Sequence, residues 1–102
     1  MYRDSESYSV IKKMLLASVP HTKILKLREE GDVLIVVNLN TETFFLNEVA
    51  KDFLLLCNGR KFSEIVDELC EIYDVDKDIL TDDLIEIIQD LQYKRILKVE
   101  AS

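Results

Sequence analysis

The chain predicts a small α+β domain of the winged helix-turn-helix kind, a three-stranded antiparallel sheet followed by three helices, with an extra N-terminal segment. Three observations in the 102 residues predict it. The β-branched run from Val33 to Val37 lies between two turn signals, Gly31-Asp32 and Asn38-Leu39-Asn40. The stretch from Glu42 to Arg60 reads as a short strand, an Asn47 helix cap, an apolar-faced helix and a glycine stop. Two further segments with helical apolar spacing and acidic surfaces follow it. Strands first and helices after separate this layout from a βαβ unit.

Residues 1–9 are polar, and fraying is expected there. Val10, Ile11, Met14, Leu15 and Val19 then suit a short amphipathic helix ended by Pro20, because the residue before proline avoids the helical region. An extended arm packed on the domain is the alternative. Ile24 to Arg28 alternates in part and forms the first strand candidate, Val33 to Val37 the central strand, and Glu42 to Leu46 the third. Short connections favour an antiparallel meander with the third strand at an edge.

Asn47 can accept from the first free N–H groups of the next helix, whose apolar side is Val49, Phe53, Leu54, Leu56 and Cys57. Gly59 can take the left-handed stop conformation. A second helix is expected over Ser63 to Tyr73. A third should start near Thr81 as cap and run to Tyr93, with Leu84, Ile87, Ile88 and Leu91 as its core stripe. Ile96, Leu97 and Val99 should fold back as an extended tail. The expected organisation is an arm or short helix over 1–22 and a domain over 23–99.

Composition sets bounds. The apolar share of 48% with two Gly and one Pro belongs to a globular chain, with one core and no need of staples. The start Met-Tyr-Arg-Asp-Ser-Glu is too polar for a signal peptide, and no apolar run approaches a membrane span, so cytoplasmic residence is the expectation. Cys57 and Cys70 fall among apolar helix neighbours and read as free buried thiols. With His21 as the single histidine, no Cys/His zinc site can be assembled, so neither metal nor cofactor is expected.

Chemistry fails on inventory. Gly31 and Gly59 are too far apart for a dinucleotide loop, and no phosphate loop or nucleophile elbow occurs. The carboxylates lie on charged surfaces rather than in an apolar pocket that would part their pKa values. No catalytic residue is therefore assigned. DNA binding fails on charge. From Glu64 to Asp90 there are eleven acidic residues against Lys77 alone, and phosphate contacts need bases. A winged-helix regulator stays as the rival class, to be separated by a gel shift.

What remains is an edge. Glu42, Thr43, Phe44, Phe45 and Leu46 carry no proline and one charge, so the strand can accept an extended peptide as a fourth strand. Residues 1–20 covering that edge, or a second copy pairing there as a homodimer, are the alternatives. On the third helix a mixed flank of Thr81, Ile85, Ile88 and Gln92 suits one wall of a groove; Ile85 packing under the N-terminal segment is the plainer alternative.

From about Lys23 to Leu97, roughly three-quarters of the chain, the sequence resembles the PqqD-like proteins. The resemblance lies in the strand ending Leu46-Asn47, then Ala50, and the helix end Leu56-Cys57-Asn58-Gly59. It continues in Glu64-Ile65-Val66, Leu69 and Tyr73, then in Asp83, Leu84, Leu91 and Ile96-Leu97. The family often has Asp-Gly where this chain has Asn58-Gly59. The first 20 residues lie outside the pattern. The resemblance implies a non-catalytic recognition element for ribosomally made, modified peptides. Such proteins bind the leader of a precursor peptide beside the third strand and against the third helix. They deliver it to a modifying enzyme such as a radical SAM maturase or a leader peptidase. Carried onto this chain, the contacts fall on Thr43 to Leu46 and on Thr81, Ile85, Ile88 and Gln92. The acidic third helix adds the expectation of a ligand with basic residues.

Overall fold

Two antiparallel sheets and four helices make up residues 6–57 and 59–101, the part of the chain that this computed structural model describes. In chain order they are α1 (Glu6–Leu16), β1 (Val19–Thr22), β2 (Ile24–Glu30), β3 (Val33–Asn38), β4 (Thr43–Leu46), α2 (Glu48–Leu56), α3 (Phe62–Tyr73), α4 (Lys77–Tyr93) and β5 (Leu97–Glu100). The three-stranded sheet has the order β2-β3-β4, so the expected meander is present and β4 is an edge.

Turn chemistry sets the register of that sheet. Glu30 pairs with Val33 across Gly31-Asp32, and Gly31 has φ +60 at the first turn position, where two-residue hairpins need it. The β3–β4 connection is a three-residue hairpin. Asn38 N–H donates to the Glu42 carbonyl at 3.0 Å, Thr41 N–H donates to the Asn38 carbonyl at 3.0 Å, and Thr41 takes φ +64. That is the type I turn with a left-handed third residue, here a threonine where glycine is usual.

The N-terminal helix differs from expectation at both ends. Residues 6–9, expected to fray, form its first turn, while residues 1–5 lie outside the described set. It stops at Leu16 rather than Val19. Ser18 N–H and Oγ turn back to the carbonyls of Leu15 and Met14 (2.9 and 2.6 Å), and Val19-Pro20 then extends as β1. The pre-proline restriction thus acts on a strand residue, past the helix end. β1 pairs with β5, Pro20 opposite Val99, in a two-stranded sheet where the sequence predicts only a folded-back tail. Proline is tolerated because β1 has a partner on one side only. Residues 19–22 are thereby tied to the end of the chain.

α4 starts four residues before Thr81. Asp76 is its cap, with Oδ1 accepting from the N–H groups of Asp78 and Ile79 at 2.9 and 3.2 Å. Thr81 is instead an interior residue whose hydroxyl donates to the Lys77 carbonyl at 2.7 Å. The polar connector offered several caps, and Asp76 adds a full turn that buries Leu80. Asn47 caps α2 as expected, its Oδ1 accepting from Ala50 N–H at 3.0 Å. Gly59 has φ +79, and Asn58 lies outside the described residues.

One core joins these elements. Leu34, Val36 and Leu46 from the sheet meet Phe53 and Leu54 of α2, Phe62, Ile65, Val66 and Leu69 of α3, and Leu84, Ile88 and Leu91 of α4. Phe53 and Phe62 pack edge to face with centroids 6.0 Å apart. α1 packs against α3, and the Tyr8 hydroxyl donates to Asp82 Oδ1 at 2.6 Å, which ties α1 to α4. Cys57 is buried and Cys70 half-buried, both as free thiols.

Candidate functional site: a cleft between the β4 edge and α4

The two edges of the sheet are treated differently. β2 carries Lys26, Arg28, Glu29 and Glu30, charges that discourage pairing. β4 is Thr-Phe-Phe-Leu, uncharged throughout, and among the described residues only β3 bonds to it. The hairpin bond between Asn38 and Glu42 sets which groups point outward. Antiparallel pairs alternate, so pairs Val36–Phe44 and Leu34–Leu46 exchange the ladder bonds. Thr43 and Phe45 therefore direct their N–H and C=O groups away from β3. The Phe45 side chain is 70% exposed, its cross-strand neighbour Ile35 half-buried.

A cleft of about 420 Å³ borders this edge, lined by Phe45, Leu46, Val49 and Ala50 on one side and by Asp83, Glu86, Ile87, Asp90 and Lys94 of α4 on the other. The α4 residues recur at three- and four-residue spacing, one face of the helix. Three carboxylates stand against one ammonium, and that ammonium is engaged: Lys94 Nζ lies 2.7 Å from Asp90 Oδ2 and 5.6 Å from the centre of the Phe44 ring. Asp83 makes no ion pair among the described residues. Ile87 is the apolar floor between the acids.

The β4 half of the expected site lies together along this edge, with Glu42 in the turn that opens it. Glu42 Oε1 accepts from Asn38 Nδ2 at 3.0 Å. The α4 half needs correction. Thr81, Ile85 and Ile88 are 2%, 2% and 1% exposed, so they belong to the core and offer no wall to a ligand. Gln92 is exposed but lines a neighbouring cleft. The helix is rotated relative to the expected stripe: Ile85 is inside and Ile87 is on the cleft. A signal was present, since Ile87 has Asp83 four residues before it and Asp90 three after, in the same solvated row. Ile85 has Thr81 and Ile88 in those places.

Asn38, expected only as part of the second turn, is a structural clamp. It is fully buried and all its side-chain hydrogen bonds are used. Nδ2 donates to Glu42 Oε1 and to the Lys94 carbonyl (2.8 Å), and Oδ1 accepts from the N–H groups of Asn40 and Glu42. It clamps the β3–β4 hairpin to the end of α4 and so holds the cleft walls in register. That helix end closes with Arg95 N–H on the Gln92 carbonyl and Ile96 N–H on the Leu91 carbonyl, with Arg95 at φ +59. This is the closure in which glycine usually takes the left-handed place.

Against known proteins, the family described as coenzyme PQQ synthesis protein D (PqqD) matches residues 34–97, more than half of the chain. The chain belongs to the PqqD family. The matched span opens at Leu34 on β3 and closes at Leu97 on β5, so it contains β4, α2, α3, α4 and the cleft. The solved structure of TbiB1 in complex with the TbiA(beta) leader peptide resembles this PqqD-family fold. Its TM-score is 0.67 at 26% identity, over 74% of this chain and 94% of the matched one. No curated protein matches the chain. Among the described residues no group of His, Cys, Asp or Glu is placed to hold a metal, and no helix is long and apolar enough to cross a membrane.

Proposed function

We propose that this PqqD-family protein is a non-catalytic recognition protein for the leader region of a ribosomally synthesised precursor peptide. The leader adds as a strand to the outer edge of β4 and lies against the Asp83, Ile87, Asp90 face of α4. The protein then delivers it to a separate modifying enzyme, a radical SAM maturase or a leader peptidase. The observation that carries the reading is the uncharged, outward-directed backbone of Thr43 and Phe45 beside a ready cleft. Family membership and the likeness to a leader-peptide complex support it.

The experiment is a calorimetric titration with the synthetic leader of a precursor encoded beside this protein. Thr43→Pro and Phe45→Pro each remove one outward N–H from an edge strand and should abolish binding. Thr43→Ala and Phe45→Ala keep the N–H and should retain it at least in part. Equal affinity for the proline and alanine variants would overturn strand addition. A second copy at the same edge would instead appear in light scattering as a dimer that the leader does not dissociate.

A further inference from the structure

The docking cleft does not end at Lys94. A second cleft, lined by Asn40, Glu42, Phe44, Tyr93, Lys94 and Arg95, adjoins it at Lys94, and a third shares Asn40 and Arg95 with the second. In the third the charged residues are Lys23, Arg95 and Lys98, with Leu39, Leu97 and Val99 as apolar lining and no carboxylate. Lys98 sits 3.5 Å from Glu100, and neither Lys23 nor Arg95 forms an ion pair among the described residues. In a chain of net charge −7, three bases around one cleft stand apart from the rest. The line of adjoining clefts that begins beside β4 therefore changes sign, from Asp83, Glu86 and Asp90 near Leu46 to Arg95, and then to Lys23 and Lys98, past the β3–β4 hairpin.

Arg95 adds an independent mark. It occupies the left-handed position of the helix closure, where glycine is free of the steric cost that a side chain incurs. Residues kept in such conformations concentrate at functional sites. The arginine has no ion pair within the described fold to account for its place.

We propose that the bound peptide is itself bipolar. It carries a basic side chain where it passes Asp83 and an acidic side chain where it reaches Arg95, and this opposition sets its register on β4. The proposal rests on the leader-binding reading above and adds to it which chemistry is read. Its spacing follows from geometry. From Asp83 to the end of α4 at Tyr93 the helix rises about 15 Å, and Arg95 lies two residues past that end, so the two charges stand about 15–18 Å apart along the path. An extended chain covers that in about five or six residues.

The test uses a random 14-residue peptide library displayed on phage and selected on the full chain. Peptides that bind the wild type and not Phe45→Pro should carry Lys or Arg about five or six positions from Asp or Glu. Selected peptides, measured by fluorescence anisotropy, should lose about fivefold or more in affinity on Asp83→Lys, chiefly through their basic residue. Arg95→Gly should weaken the same peptides through their acidic residue while leaving the fold intact, since glycine suits that φ; Lys23→Glu is the second variant at that end. Peptides that need the β4 edge yet show no paired charges, or lose nothing on any of the three substitutions, overturn the bipolar proposal alone. Recovery of no peptide that depends on Phe45 overturns the leader-binding reading and the proposal with it.

Discussion

Asn38 Nδ2 donates a 2.8 Å hydrogen bond to the carbonyl of Lys94, joining the β3–β4 hairpin to the last turn of α4 across 56 residues of sequence. The bond is buried at Asn38 and holds together the two walls of the proposed docking site. Asn38→Ala removes this donor and leaves the Lys94 carbonyl and the Glu42 N–H without their partner. A cost of about 2–3 kcal/mol is expected, read as a lower urea midpoint. Asn38→Asp should be similarly damaging, because it replaces the donor with a carboxylate facing a carbonyl and Glu42.

Ile85 and Ile87 separate stability from binding. Ile85→Ala opens a cavity in the core and should cost about 3 kcal/mol, with leader affinity unchanged under conditions where the variant is folded. Ile87→Ala touches the half-buried cleft floor. It should cost about 1 kcal/mol or less in stability, by the smaller area involved, and weaken leader binding severalfold. Calorimetric titration beside thermal melts checks both; the opposite pattern would restore Ile85 to the site.

Thr41→Gly should stabilise the protein. A β-branched residue at φ +64 carries a steric cost that glycine lacks. Glycine's greater freedom in the unfolded chain offsets part of this gain. The net expected is about 0.5–1 kcal/mol, a rise of roughly 3–6 °C in Tm for a domain of this size. A lower Tm would mean that the Thr41 hydroxyl, 2.5 Å from the Asn40 carbonyl, contributes more than its backbone costs.

Stability should fall in alkali. Burial pushes the Cys57 thiol up to about 12 from 9.0. Tyr73 is also raised, by burial first and then by its hydrogen bond to the Asp52 carboxylate and that group's charge. Both groups hold their proton more tightly when folded, so their contribution is complete below the ordinary thiol value and is lost as pH climbs from there towards the folded values. The slope is at most about 1.4 kcal/mol per pH unit for Cys57, and smaller for the more exposed Tyr73, whose neighbouring charges solvent screens. Urea midpoints at pH 7, 9 and 10.5 should decline in that order, and Tyr73→Phe should flatten the upper part. In the native state at pH 8, Cys57 should resist iodoacetamide while the less buried Cys70 reacts first.

The features legible from the residues alone were local. The hairpin at Gly31-Asp32, the β-branched run of β3, the uncharged β4 and the Asn47 cap each depend on residues within a few positions of one another. Short-range sterics and hydrogen bonding decide such features. The charge contrast was equally legible, since it needs only counting. Long-range packing settled the rest. Asp76 displaced Thr81 as cap because the added turn buries Leu80 in a core that sequence spacing cannot display. β1 found β5 only because the fold brings residue 20 beside residue 99. Leu84, Ile88 and Leu91 pack inward as expected, but Ile85 joins them, and the buried face of α4 turns just far enough to leave Ile87, with Asp83 and Asp90, on the cleft beside β4. An amphipathic helix with apolar residues on more than one side has no unique inward face until its neighbours choose it.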